Sequence, residues 1–326
     1  MKRRSALIYY AWSRPSETSA PLGIIENRFP ALFESRRMLY PKLQPLADPA
    51  RFDQGIGGFL DHILKANYVE FLRHGRDALG CTLTEIERVT DDGVQTGLDA
   101  ALPPSCDTVI VISFDSLQSG QHADAGEVEA LRRFLAHPDH LVCICPHHDI
   151  GALDDVPADA HEAVQTAEFL HHGDRTIPPQ QRFGGYARSL LAGLGIAVEN
   201  RFGLHPAAEA DGTPAAIEPG PATDRLGLCE GVTTFNLHAH LPHFERLGAA
   251  VGQMEVLARQ RIDPTATPHR FTAAGHRHFD ALLQSRPGLF AGSLLVGDAT
   301  LWSSTAGGVD SLRRLWTNVL QRPLQS

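Results

Sequence analysis

The stretch Leu141-Val-Cys-Ile-Cys-Pro-His-His-Asp-Ile-Gly151 decides how the rest of the chain is read. A short apolar run breaks off into Cys145, Pro146, His147, His148 and Asp149. Runs of this length read as buried strands. In open α/β sheets, ligands bind outside the carboxyl ends of such strands. The run therefore predicts both a central strand and a site at its end.

Working outward, Ser105–Ser113 is β-branched and apolar, the pattern of a strand buried on both faces. Ala125–Ala136 follows as an amphipathic helix, with Val128, Leu131, Phe134 and Leu135 on one side. His140–Cys145 is the next strand, and this strand–helix–strand order predicts a parallel sheet with right-handed crossovers. Ser5–Trp12 reads as a first strand, 54–79 as a helix with a loose glycine-rich start, and Cys81–Glu87 as a second strand. Further on, 160–171 and 184–194 are expected helices and 196–199 a short strand. Residues 206–224, rich in Pro, Ala and Gly, read as an exposed loop. Strands are expected at 232–240, 253–258 and 293–298, and a helix at 309–320. The segment from about 14 to 53 reads as an irregular insertion. No linker divides the chain, so one α/β domain over 1–326 is the expectation.

Composition sets limits. The 326 residues are 43% hydrophobic and 21% charged, as in ordinary globular proteins. A formal net charge of -9 argues against nucleic acid as the main partner, because phosphate binding needs a basic face. No apolar run approaches the length of a membrane span. The start, Met1-Lys-Arg-Arg, superficially resembles a signal peptide, but its apolar segment is short and no small-x-small site follows. Five cysteines, an odd number, do not form a disulfide framework, so a reducing cytoplasm is expected. A small-molecule substrate and association through an exposed sheet edge into a homo-oligomer complete the partner expectations.

Three segments resemble the class I glutamine amidotransferase-like superfamily, especially its trehalose-utilisation-like and uncharacterised bacterial branches. They are Asp107–Ile112 with Gly126–Leu135, Val142–His148, and Ser293–Trp302 with the closing helix. The resemblance implies a three-layer, flavodoxin-like fold with a mostly parallel central sheet, and it puts Cys145 on the family's nucleophile. The departures matter. The oxyanion donor after the nucleophile is usually a backbone N–H, and Pro146 has none. Losing one such donor costs about 3–4 kcal/mol. Cys143 and Pro146 also replace the small residues that flank the family's nucleophile, which leaves Cys143 and Cys145 readable as core residues.

Histidine is the other abundant resource, with 17 in the chain. In Phe235-Asn-Leu-His-Ala-His-Leu241, strict alternation puts Asn236, His238 and His240 on one face. Such a face is costly inside a domain unless it is hydrogen-bonded, solvated or metal-bound. Two imidazoles at i, i+2 can converge on one ion, with His147, His148 or Asp149 from another strand end. This donor set suits zinc, iron or manganese. Asp298 is the best additional carboxylate, as a ligand or to orient a histidine. No compact zinc signature such as His-Glu-x-x-His occurs, and a water-facing edge strand would present the same residues. His171-His172-Gly-Asp174 reads as a helix end with a glycine cap and a cationic last turn, with a second ligand group as the lesser alternative. His276 and His278 read as surface residues of a helix. Arg14 and Arg28 are candidate substrate contacts.

The leading expectation is a small-molecule hydrolase or related enzyme. His147 or His148 would act as base or ligand, His238 and His240 would bind a metal, Asp298 would orient a histidine, and Asn236 would contact substrate. The alternatives are a non-catalytic binding or assembly protein on the same fold, and a cysteine amidase acting through Cys145.

Overall fold

The computed structural model describes residues 4–18, 65–115, 119–173 and 181–323. Its centre is an eight-stranded sheet. In chain order the strands used below are β1 (Ser5–Ser13), β2 (Thr82–Val89), β3 (Thr108–Ser113), β4 (Leu141–Pro146), β5 (Asp149–Ile150), β6 (Gln181–Arg182), β7 (Val198–Leu204), β8 (Glu218–Pro219), β9 (Leu241–Arg246), β10 (Met254–Arg261), β11 (His278–Ser285) and β12 (Ser293–Gly297). The large sheet has the order β2-β1-β3-β4-β12-β11-β10-β8. Strands β2, β1, β3, β4 and β12 run parallel. From β12 through β11 and β10 to β8 the pairing is antiparallel. The sheet is thus α/β in character but mixed.

Alternation along the parallel strands feeds two cores. Ile8, Tyr10, Ile110, Ile112, Cys143 and Cys145 enter one. Leu7, Tyr9, Val109, Val111, Val142 and Ile144 enter the other. The first is covered by α1 (Lys65–Arg73) and α5 (Val309–Gln321), the second by α2 (Ala125–Leu135) and α4 (Gly185–Gly193). Each covering helix carries its apolar residues on one stripe; in α5 these are Leu312, Leu315, Trp316, Val319 and Leu320. Helix α2 starts with a capping box, Asp124 accepting from the Glu127 N–H while Glu127 accepts from Asp124. A four-stranded antiparallel sheet, β6-β5-β7-β9, lies in the excursion between β4 and β12. The same excursion holds α3 (His161–His172).

Several expectations need correction. Residues 232–240 form no named strand; the ladder begins at Leu241, in β9. The backbone before it spends its hydrogen bonds elsewhere, with Leu237 N–H donating to Ala306 O at 2.7 Å. His278 opens a buried strand, β11, rather than lying on a helix. Its polar Asp280 is paired with Arg246 and Arg259, at 3.2 and 2.8 Å, which lets a carboxylate sit in a strand. The 206–224 segment is not simply exposed. Ala207, Ala215 and Ile217 are buried, and β8 within it adds the outermost strand beside β10. The helix read over 54–79 is α-helical from Lys65 to Arg73 and continues as a π-turn over His74–Ala78. Its earlier part, and the insertion beyond residue 18, lie outside the described residues. Among the described residues no helix is long and apolar enough to cross a membrane.

Arg14, expected at substrate, is instead buried in a double hydrogen-bonded ion pair with Glu87 of β2, to which Lys65 also donates at 2.7 Å. Burial alone would raise the Glu87 carboxyl, but hydrogen bonds from Arg14, Lys65 and Trp12 outweigh it and draw it down to about 2. The linkage sign follows. A carboxyl whose folded pKa lies below the unfolded value of 4.5 adds stability above pH 4.5 and loses it as pH falls toward 2. Denaturant unfolding of wild type and Glu87→Gln should therefore show wild type the more stable at pH 7, with the gap narrowing through that window. A gap independent of pH would contradict the assignment.

Candidate functional site

The exits of β3, β4 and β12 lie side by side because these strands are parallel neighbours. Phe114 and Asp115 leave β3, His147 and His148 leave β4, and Asp298 leaves β12. Asp298 is buried, and its Oδ2 lies 2.9 Å from Nδ1 of His147. Its Oδ1 accepts from the Thr300 N–H at 2.8 Å and from the Thr300 hydroxyl. Burial would raise this carboxyl, but His147 and Thr300 hold it below the usual carboxylate range. An ionised Asp298 accepts the Nδ1–H of His147, which leaves Nε2 as the nitrogen open to a ligand.

The Thr300 group carries the network to the 235–240 segment. Asn236, fully buried, donates through Nδ2 to Thr300 O at 2.8 Å and to Thr300 Oγ1 at 3.1 Å. Asn236 Oδ1 then accepts from the His238 backbone N–H at 3.1 Å. Gly308, at φ +67, allows the backbone to approach closely: a Cβ there would stand 2.5 Å from Phe235 O. Asn236, expected at substrate, is thus a bracket between the β12 exit and His238.

The β4 exit is held from its other side. Asn200 donates to His147 O and, at 3.1 Å, to Phe183 O. Phe183 N–H donates to His148 O at 3.1 Å. Phe114 stacks on the His147 ring at 4.4 Å, and Phe183 meets His148 edge-on at 5.1 Å. Helix α3 ends at His172, where Gly173 adopts the left-handed conformation at φ 94. The expected glycine cap is present, and the helix end sets the His172 ring beside His240.

Five histidines meet here. Ring centroids are 5.0 Å apart for His147–His238, 4.7 Å for His238–His240, 5.1 Å for His148–His240 and 3.6 Å for His172–His240. One ligand nitrogen from each of His147, His238 and His240 lies within 4.8 Å of the other two, and the same is true of His148, His172 and His240. The Nδ1 atoms of His238 and His240 are shielded from solvent and have no hydrogen-bond partner among the described residues. An unmet buried polar group costs about 1–3 kcal/mol. Burial pushes His238 down to about 3, with His147 adding to the effect and Asp298 opposing it. Burial, followed by the neighbouring histidines, puts His240 well below its ordinary value. Both rings are therefore neutral at pH 7, the form that binds a metal.

The other candidates fall away from this cluster. Asp298 is bonded to His147 and does not belong to either group of converging nitrogens, so it orients His147 rather than joining the convergence. Asp149, in β5, is buried and pairs with Arg182 at 3.4 Å. Cys145 points into the apolar core, where its sulfur accepts the Trp302 indole N–H at 3.1 Å. Burial pushes its thiol well above the ordinary value, Cys143 and Asp298 add to this, and Trp302 opposes it only in part. That environment is the reverse of what activates a cysteine nucleophile. Arg28 lies outside the described residues, as does Asp174. His172 is the contributor that sequence reasoning did not commit to; its signal was the His-His pair ahead of Gly173.

Comparison of the chain with protein-family models, with curated proteins and with solved structures returns no match.

All five cysteines are free and buried, and burial carries the Cys143 thiol up to about 12. Ellman titration of the native protein at neutral pH should therefore register almost no thiol over minutes, and all five after addition of guanidinium. A single fast-reacting thiol that is lost in Cys145→Ala would restore the nucleophile reading.

Proposed function

We propose that this chain is a metal-dependent hydrolase of a small molecule, with a divalent transition metal held by His147, His238 and His240. The observation that carries the proposal is the convergence of those three ligand nitrogens, with Asp298 fixing the tautomer of His147. The residues fit such an ion. His238 and His240 each carry a buried Nδ1 with no hydrogen-bond partner among the described residues, and a carboxylate behind a ligating histidine is the usual outer partner in metal sites. Three histidines leave one position of a tetrahedral ion open, the arrangement of catalytic rather than structural zinc. When bound, the ion would lower the pKa of a water and polarise a carbonyl or phosphoryl oxygen.

The chain's own residues do the positioning. Asp298 and Thr300 hold His147, Asn236 holds the His238 backbone, and Phe114 and Phe183 wall the histidines with aromatic surface. Zinc, iron and manganese all suit a histidine set; the neutral imidazoles favour zinc or iron over the harder manganese. The finer fold reading is part of the same proposal. The order β2-β1-β3-β4-β12, with α1 and α5 on one face and α2 and α4 on the other, supports a flavodoxin-like winding of the amidotransferase-like kind. On this reading the cysteine step of that family is replaced by histidine and metal chemistry. Five free, buried cysteines support a reducing, cytoplasmic setting.

Elemental mass spectrometry of untagged wild type should find at least one metal ion per chain, and His238→Ala should lose the ion held with His147 and His240. Asp298→Asn should keep the fold and weaken metal affinity by about 10–100-fold. Any ester, amide or phosphoester hydrolysis found in a substrate screen should vanish in His238→Ala and not return on adding thiol. A wild type that stays empty after zinc, iron and manganese addition would remove the proposal. Metal without turnover in the screen would favour the binding-protein alternative.

A further inference from the structure

The five histidines do not converge on one point. Among the described residues, two sets of three bring their nitrogens within 4.8 Å of one another, and His240 is the member they share. His147 and His148 show why. They are consecutive residues between the end of β4 and the start of β5. Their rings lie 4.1 Å apart with planes at 60°, yet each belongs to a different set. His147 is fixed by Asp298 toward His238, whereas His148 neighbours His172 at 5.8 Å and His240 at 5.1 Å. His172 arrives from the last turn of α3 and packs against Gly203, where a Cβ would stand 3.2 Å from His172 Cδ2.

Resting on the metal reading above, we propose that the site holds two divalent transition-metal ions, the second bound by His148 and His172, with His240 bridging the pair. An imidazole has nitrogens on opposite sides of its ring and can serve one ion at each. Coordination of the second nitrogen releases its N–H proton to solvent and leaves a bridging imidazolate. With metal–nitrogen bonds of about 2.0–2.1 Å, the ions would stand about 6 Å apart across that ring. Two imidazoles on one tetrahedral ion have ring centres about 5 Å apart on the same bond lengths. The first set shows 5.0, 4.7 and 6.3 Å, and the second 5.1, 5.8 and 3.6 Å. On that measure the His172–His240 pair has to open and the His147–His240 pair to close, each by about 1 Å.

The test loads the full chain with zinc, strips weakly held ions with a mild chelator, and counts what remains by elemental mass spectrometry. Wild type should retain about two ions per chain, His172→Ala and His238→Ala about one each, and His240→Ala close to none. His172→Gln and near-UV circular dichroism guard against a variant that merely misfolds. Copper loading of wild type should give an electron paramagnetic resonance signal diminished by exchange coupling, restored to an isolated-ion signal in His172→Ala. One ion in wild type, lost in His238→Ala and kept in His172→Ala, overturns the second ion and leaves the hydrolase reading standing. One ion lost only in His172→Ala, or no ion at all, overturns both. Two ions with uncoupled copper signals overturn the bridge.

Discussion

The buried carboxylate of Asp298 is the constraint on which the site depends. One oxygen meets His147 and the other is occupied by Thr300, whose carbonyl and hydroxyl in turn receive Asn236. Asn236 then takes the His238 backbone N–H. A desolvated charge is tolerated only when its lone pairs are met, and here meeting them draws three chain segments to one point. A protonated or amide side chain in its place would lose the charge that selects the tautomer of His147. The five-histidine cluster is therefore less a surface accumulation of one residue type than the outer part of a hydrogen-bonded network rooted in the sheet.

The sheet and the excursion have divided the work. The parallel strands supply position: β4 and β12 are neighbours, so whatever follows Pro146 and Gly297 must meet. The excursion between them supplies His172, His238 and His240 together with their supports. This is the general logic of open α/β sheets, in which the frame is buried and the chemistry sits on what leaves its carboxyl ends. Here the frame is sealed on both faces, with the Cys143 and Cys145 sulfurs in one core and the Val142 and Ile144 side chains in the other.

What could be read from the residues follows from which forces act locally. Strands β1, β3, β4 and β12 are legible because both faces are buried and the apolar runs are nearly continuous. Strand β11 is not, because Asp280 and Gln284 interrupt it; the arginines that make Asp280 tolerable come from β9 and β10. The alternation of Asn236, His238 and His240 reported a shared side correctly but not a strand, since the hydrogen bonds that hold the backbone there go to Asn236 Oδ1 and Ala306 rather than to a ladder. His147 and His148 were legible from their place at a strand end. The share of His172 was not, because a glycine-capped helix end explains a histidine pair without any ligand, and only the winding of the chain shows where that end points. Arg14 misled for a related reason: an arginine at a strand exit looks available until its partner on the next strand is known.

The two residues joined at the heart of the network, His147 and Asp298, are 151 positions apart. Bringing the ends of so long a segment together carries a loop-closure entropy that must be met before the contact returns anything, and contacts of high sequence separation slow folding. Every histidine of the cluster lies inside that closed loop. The Asp298 hold on His147 therefore comes into being only when β12 docks beside β4, and a chain still searching for its fold carries the same histidines without that restraint. On the metal reading proposed above, an ion held through His147 would report that the β4–β12 pairing has formed.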